Sequence, residues 1–415
     1  MKSLLVSFVS DQTLPNVQFI KELEGRVSDY LFVTTEEMER KGTLGWIKNA
    51  AKIKSLEPIV VDQFSIDDIT AKLSKLDYTI YNKVIVNLTG GTKSMTIASY
   101  DFFKEKGAEI YYLTGRNYEV IKLFPGEKKD RYSLNTRITL NEYLTAYGFK
   151  ITPNLASKIS FDQTERIFQK YINGGFEEHK EALGFLRRRR NKTVRDIEVC
   201  NVSSFLECIG FKTDDNRLSS QQVNYLTGEW FEEYIGGRIK RELNLPDSDI
   251  LLGAKIRKNL APNEELNSIK ELLGDDSPVE STPLNEIDVM FMWNGKFHVI
   301  ECKTSIISSH QGTKQKKDKK GTPILDKKGS PIEEITSKST NILGDTIYKS
   351  DALKTKFGLF AKSYIFTLTD FKEYASKEHN NANQMIDLLN RATISKVKVV
   401  GKEQLLNTQS IKDLL

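Results

Sequence analysis

A chain of 415 residues exceeds one ordinary core, and at roughly 150 residues per domain it predicts two or three domains. Hydrophobic residues make up 39% and charged residues 28%, with 21 Phe, 16 Tyr and 3 Trp, which supplies apolar cores and excludes a disordered chain. No run reaches the roughly 18 to 20 apolar residues of a spanning helix, the apolar start Ser3 to Ser10 is cut by Asp11 without a small-residue cleavage site, and the net charge of +5 is too mild to argue for nucleic acid alone, so a soluble, cytoplasmic protein with no membrane partner is expected.

From Met1 to about Phe124, short β-branched runs alternate with amphipathic ones. Leu4–Val9, Tyr30–Thr34, Pro58–Val61 and Val84–Leu88 predict strands separated by helices, and this βαβα order predicts a doubly wound α/β domain whose parallel sheet is covered on both faces. Glu109–Leu113 and Tyr118–Phe124 follow as a hairpin across Thr114–Asn117. From about Pro153 to Asp215 the pattern is mostly helical, predicts a helical connector, and holds the basic run Arg187–Arg190 with Lys192 and Arg195 behind it. A long helix over Ser219–Leu243 leads to strands at Ile250–Ile256, Glu286–Trp293 and Phe297–Thr304. Ser308–Lys338 carries Lys314, Lys316, Lys317, Lys319 and Lys320 and the near-repeat DKKGTPI, DKKGSPI, and predicts an inserted basic hairpin or loop. A helix at Leu343–Lys356, a strand at Ser363–Leu368, a helix at Ala382–Leu389 and a strand at Lys396–Val400 complete a mixed α/β pattern. The expected boundaries are 1–150 for the doubly wound domain, 151–218 for the connector and 219–415 for the mixed domain.

Cys200, Cys208 and Cys302 have no CxxC spacing, and the four histidines have no metal-ligand spacing. A metal would therefore rest on carboxylates, which favours Mg²⁺ or Mn²⁺ over Zn²⁺. Asn294-Gly295 lies between two alternating runs, the signal for a two-residue hairpin turn. With Trp293 opposite Lys296, Asp288 falls across from Glu301 and Glu286 across from Lys303, all four on one face. Opposed carboxylates with β-carbons about 4.5 to 5.5 Å apart repel unless a positive group sits between them, and a divalent cation and a lysine both serve. Such a metal lowers the pKa of a bound water and neutralises a scissile phosphate, while Lys303 orients the water or stabilises the pentavalent state. This is the chemistry of phosphodiester hydrolysis. A solvated, charged hairpin face is the alternative.

The order of a helix with Gly228, Glu229 and Glu232, a strand, the Asp288 hairpin, Glu301-Cys302-Lys303, a helix and a strand makes Gly228–Leu368 resemble the PD-(D/E)xK restriction-endonuclease-like nucleases. The resemblance implies Asp288, Glu301 and Lys303 as motif residues, and Glu232 as a helical glutamate that adds a supporting or metal contact. The usual proline before the aspartate is absent.

In the N-terminal region, the strand Val84–Leu88 runs into Thr89-Gly90-Gly91-Thr92-Lys93-Ser94, and a helix begins at Met95. Glycines let backbone amides approach a ligand, and a helix N-terminus attracts phosphate. The string is not a Walker A loop, because Lys93 follows threonine instead of glycine. A tight turn capped by Thr92 is the plain alternative. Ligands of parallel sheets collect at the carboxyl ends of strands, where Ser10-Asp11-Gln12-Thr13, Thr34-Thr35 and Gly115-Arg116 also fall.

The string NLTGGTKSMT after a fourth strand, followed by the nuclease pattern, resembles the CARF-domain nucleases of type III CRISPR systems over the whole chain. The nearest group is the one whose CARF domain senses cyclic tetra-adenylate and whose C-terminal domain cuts single-stranded DNA and RNA or nicks DNA. The resemblance implies a Rossmann-like CARF domain, a helical connector and a restriction-endonuclease-like domain. It also implies a homodimer that binds the cyclic oligoadenylate across its twofold axis, cyclic tetra-adenylate as allosteric activator through a population shift, and Mn²⁺ or Mg²⁺ on Asp288 and Glu301. By motif, Asn87, Thr89, Gly90, Gly91, Thr92 and Lys93 are implied as ligand residues; Ser10, Asp11, Gln12, Thr34 and Arg116 follow by position. Arg187–Arg190 and the Lys314–Lys320 loop are candidate phosphate grips, against a solvated helix face and a flexible loop; the loop is better placed, since it follows the E-x-K strand. The rival reading is a nucleotide-sensing DNA-binding regulator with a degenerate nuclease fold. Asp288, Glu301 and Lys303 on one face argue against it, as does the lack of a helix-turn-helix signal in the middle region.

Overall fold

The computed structural model describes residues 2–115, 119–126, 131–152, 159–190, 197–213, 216–258, 272, 285–315, 333–377 and 379–415. β1 (Ser3–Phe8), β2 (Asp29–Thr34), β3 (Ile59–Val60), β4 (Lys83–Asn87), β5 (Glu109–Leu113), β6 (Glu119–Phe124) and β7 (Arg131–Ser133) form a sheet in the order β3-β2-β1-β4-β5-β6-β7. Neighbours from β3 to β5 run parallel, and β6 and β7 add on antiparallel. All six residues of β1 are buried. Leu4, Val6 and Phe8 pack with Val33, Val86 and Met95 in one core, and Leu5 packs with Val17, Phe32 and Ile85 in another. This two-sided burial is why the strands read as continuous apolar runs, and it bears out the doubly wound expectation. Strand order reverses between β1 and β4, so the crevice at their carboxyl ends is the natural ligand position.

The remaining strands are β8 (Phe149–Thr152), β9 (Ile197–Glu198), β10 (Arg217–Leu218), β11 (Ile250–Lys258), β12 (Asn285–Trp293), β13 (Lys296–Lys303), β14 (Ile307–Gln315), β15 (Glu333–Asn341), β16 (Lys362–Thr367) and β17 (Val397–Val400). A mixed sheet runs β17-β16-β13-β12-β11-β8; β9 pairs with β10, and β14 with β15 as an antiparallel ribbon. The turn after β12 has Asn294 at φ 47° and Gly295 at φ 68°. Two successive positive φ values define the type I′ turn expected of Asn-Gly. The basic insertion is the ribbon; Lys316, Lys317, Lys319 and Lys320 lie outside the described residues.

Two features go beyond the sequence pattern. β8 joins the mixed sheet, pairing antiparallel with β11 from Phe149↔Lys258 to Thr152↔Lys255. The long helical segment is broken into Ser220–Asn224, a π-helical turn Tyr225–Glu229 and the helix Trp230–Glu242. Residue contacts divide the chain into a first unit of Met1–Lys158, Ile239–Val299 and Leu353–Lys362, and a second of Ile159–Arg238, Ile300–Ala352 and Ser363–Leu415.

Candidate functional site

In the first unit the crevice is built by the ends of β1 and β4. Asn87 is fully buried: its amide donates to Asn16 Oδ1 at 2.9 Å, and its Oδ1 accepts from Thr89 backbone N–H at 3.1 Å and Thr89 hydroxyl at 2.6 Å. Thr89 Oγ1 in turn accepts from Leu113 N–H at 2.8 Å. These bonds use up local donors and acceptors and fix the strand-to-loop exit. A β-carbon on Gly90 would lie 2.1 Å from the Phe8 carbonyl oxygen and 3.3 Å from Ser10 Oγ, so glycine allows the loop to close against β1. Gly91 has φ 83°, the left-handed conformation that glycine favours. Thr92 caps the helix Lys93–Glu105: its Oγ1 accepts from Met95 N–H at 3.3 Å and donates to the Gln63 carbonyl at 3.0 Å.

The other expected ligand residues divide by exposure. Ser10 and Gln12 are half-buried, and Asp11 and Lys93 are exposed. Asp11 pairs with Lys41 at 3.0 Å; Lys41, whose pKa is raised first by Glu37 and then by Asp11, was not singled out in the sequence. Thr34 is fully buried, and among the described residues its hydroxyl has no hydrogen-bond partner. Arg116 lies outside the described residues. Asn16 and Gln63 were also missed, because each acts through a backbone or amide contact that leaves no spacing in the sequence.

In the second unit, Glu301 is 8% exposed and Lys303 Nζ donates to its Oε1 at 2.6 Å. Lys349, on the helix Leu343–Lys356, donates to both Glu301 oxygens at 3.1 and 3.2 Å. Beside them is a cavity of about 560 Å³ lined by Arg187, Arg190, Gly228, Glu232, Lys303 and Ser305. Glu232 sits at the first turn of the helix Trp230–Glu242, directly after the π-helical turn, a deviation common at functional sites. A β-carbon on Gly228 would come within 2.9 Å of Arg190 Nη1, so the guanidinium rests on the π turn. The structure thus brings Glu232, Lys303 and two arginines of the basic run to one cavity, and adds Lys349.

Asp288 belongs to the first unit and is 8% exposed on β12. β11 pairs Leu252 with Val289 and Ala254 with Ile287, which leaves Gly253, at φ 53°, at the register position of Asp288. Glycine in a strand marks a bulge or a close approach, and here it falls on the neighbour of the candidate carboxylate. Among the described residues no three His, Cys, Asp or Glu side chains converge as a ready metal site.

Residues 4–143 match the family model described as the Card1 CARF domain. A search of curated proteins finds no match. Among solved structures, Can2 from Sulfobacillus thermosulfidooxidans in complex with cyclic tetra-adenylate is similar with a TM-score of 0.64 and 19% identity, covering 100% of this chain and 99% of that one. Protein VC1899 from Vibrio cholerae is similar with a TM-score of 0.63 and 16% identity, covering 99% of this chain and 96% of that one. At these identities the likeness is one of fold, and it extends over both parts of the chain.

Proposed function

We propose that this chain, whose residues 4–143 match a CARF domain, is a cyclic-oligoadenylate-activated, divalent-metal-dependent endonuclease of type III CRISPR defence. The observation that carries the nuclease half is Glu301, buried and held by Lys303 and Lys349, beside a cavity that also presents Glu232, Arg187 and Arg190. The type I′ turn at Asn294-Gly295 supports the register that sets Asp288 opposite Glu301. Asp288 and Glu301 supply hard oxygen donors, a fit for Mg²⁺ or Mn²⁺, ions that keep water and substrate oxygens as their other ligands. Such an ion, when bound, supplies charge neutralisation at the phosphate and a water of lowered pKa. Lys303 holds Glu301 Oε1 in place and brings a positive charge to the reacting phosphate, and Arg187 and Arg190 grip flanking phosphates of a single strand of DNA or RNA, or of duplex DNA that the enzyme nicks.

For the sensing half, the Thr89–Lys93 loop, with Ser10, Asp11 and Gln12 beside it, is the proposed seat of cyclic tetra-adenylate, the ligand carried by Can2 in its complex. Lys93 stands exposed at the helix N-terminus, where positive charge and backbone dipole both favour phosphate. Asn87 and Gly90 shape the loop from below, and Thr34 stands at the end of β2. A symmetric ring places two copies of the loop around one ligand, which makes the protein a homodimer.

The test is cleavage of labelled single-stranded DNA, single-stranded RNA and plasmid DNA with Mn²⁺, with and without cyclic tetra-adenylate, for wild type and Glu301→Ala. Ligand-dependent cutting that disappears in the variant is expected. Absence of cutting with any ligand or metal defeats the nuclease reading and turns attention to ligand-dependent DNA binding.

A further inference from the structure

Gln12 lies in the 10–13 loop at the carboxyl end of β1, and its side-chain oxygen is already committed. Leu359 N–H and Tyr147 hydroxyl each donate to Gln12 Oε1 at 3.2 Å. A backbone N–H can only donate, so the atom facing Leu359 is the oxygen, and two donors fill its two lone pairs. The group that Gln12 keeps for a ligand is therefore its NH₂, which has no partner among the described residues.

The segment that holds Gln12 also carries two apolar side chains to the surface: Leu359 is 75% exposed and Phe360 is 40% exposed. Close approaches at two glycines seat this segment. Gly358 has φ 90°, and a β-carbon there would lie 2.2 Å from Tyr147 Oη. A β-carbon on Gly115, in the turn after β5, would lie 2.3 Å from Phe360 Cζ, so the tip of the ring rests on bare backbone at the end of β5. All of these residues belong to the first unit, and β1 and β5 flank β4 in its sheet, so Gln12 and Gly115 both stand at the strand-end crevice.

We propose that Gln12 and Phe360 form a purine subsite of this crevice: a base of the ligand stacks on the Phe360 ring, and a ring nitrogen of that base accepts from the Gln12 amide. The inference deepens, and rests on, the reading of the crevice as the seat of cyclic tetra-adenylate. Such a ring presents two chemistries, charged phosphates and flat bases. The Thr89–Lys93 loop, with its exposed lysine at a helix N-terminus, suits the phosphates. The 10–13 loop offers something else. Lys41, the cation that meets it, is already paired with Asp11 at 3.0 Å and Glu37 at 2.7 Å. What stands free is a neutral donor beside exposed apolar surface, which matches the edge and face of a base. Because both lone pairs of Gln12 Oε1 are used, the side chain reads an acceptor on the base and not its exocyclic amino group.

The test is calorimetry of cyclic tetra-adenylate on the full chain. Phe360→Leu keeps an apolar side chain and loses the flat face, and affinity should fall about tenfold; Phe360→Tyr restores the ring and should bind within about twofold of wild type. Gln12→Glu keeps an oxygen for Leu359 and Tyr147 but sets an acceptor where the NH₂ stood, and should also lose about tenfold or more. A cyclic tetranucleotide with 2-aminopurine in place of two opposite adenines adds a readout that a merely structural role would not move, since stacking quenches its fluorescence. At saturating protein it should be quenched by wild type and Phe360→Tyr and stay bright on Phe360→Leu. The Phe360 variants, altered at an exposed side chain, carry the test should Gln12→Glu fold poorly. Wild-type affinity in Phe360→Leu or in folded Gln12→Glu, or equal quenching by wild type and Phe360→Leu, overturns the subsite. A wild type that binds no cyclic tetra-adenylate defeats the sensing reading itself, and the subsite with it.

Discussion

Glu301 accepts from two ammonium groups while 8% exposed, an arrangement that fixes the direction of its oxygens. Of the two, Lys303 lines the cavity, which makes it the one proposed to meet the reacting phosphate. Lys303→Met is therefore expected to lower the ligand-activated cleavage rate by about 10²-fold or more while leaving the affinity for cyclic tetra-adenylate unchanged. Rates within twofold of wild type would remove Lys303 from the catalytic set. The Glu301-Cys302-Lys303 pair was legible because both side chains sit on one strand with a period of two. Lys349 was not: it reaches Glu301 across 48 residues, and only the folded helix brings it there. Asn87 was legible as part of a loop motif, but the direction of its amide was not; it points inward to Asn16 and Thr89.

His298 adds a pH dependence at the same scale. Its ring is 3% exposed and stacks on Phe291 at 4.7 Å. Burial pushes its pKa down from 6.5 to about 4, against a backbone hydrogen bond with Trp293 that pulls it up. As the folded value is below the unfolded one, the unfolded chain takes up the proton first on acidification. The contribution of His298 is flat above about pH 6.5 and turns against folding between about 6.5 and 4, by on the order of 3 kcal/mol in full. Urea melts of wild type and His298→Phe at pH 7.5 and pH 5 check this: the variant should lose less stability on acidification. Equal losses would place the acid sensitivity elsewhere.

At the scale of elements, turns governed by backbone chemistry were readable and pairings that depend on distant partners were not. Asn294-Gly295 forms the expected turn because both positions need positive φ, a demand few other residue pairs meet. β8 has only four residues, and its partner β11 is about a hundred residues on, so no local pattern announces it. The π-helical turn likewise keeps the apolar spacing of a helix while shifting its hydrogen bonds, which sequence periodicity cannot distinguish. The Thr89–Thr92 connection was readable as a loop, and the structure adds why Gly90 is there. Gly90→Ala would set a methyl 2.1 Å from the Phe8 carbonyl oxygen, so the loop must leave the end of β1. The expected result is a loss of cyclic tetra-adenylate affinity of at least about tenfold by calorimetry, with a lower melting temperature. Wild-type affinity in a folded Gly90→Ala protein would show that the ligand does not use this loop.

At the scale of the whole molecule, the α/β class, the parallel N-terminal sheet and the later mixed sheet followed from strand order, which local apolar runs record. The division by contacts was less readable, because Ile239–Val299 and Leu353–Lys362 join the N-terminal unit through β8, β11 and the Phe357 core, all long-range packing. Assembly is a further step that one chain does not record directly, yet its surface bears on it. Phe64 is 80% exposed and Ile97 is 58% exposed, one next to Gln63, which accepts from Thr92, and the other one turn into the helix that Thr92 caps. A second copy seated on the proposed ligand loop would cover both side chains and gain about 25 cal/mol per Å² of apolar surface removed from water. Light scattering should therefore give twice the chain mass of 47.4 kDa. Calorimetry should give one cyclic tetra-adenylate per two chains. Phe64→Glu/Ile97→Glu should shift the protein to monomer and weaken ligand binding with its circular dichroism unchanged, since neither side chain is part of a core. A wild-type monomer that binds the ring at full strength would overturn the dimer, and with it the idea that two copies of the Thr89–Lys93 loop enclose one ligand.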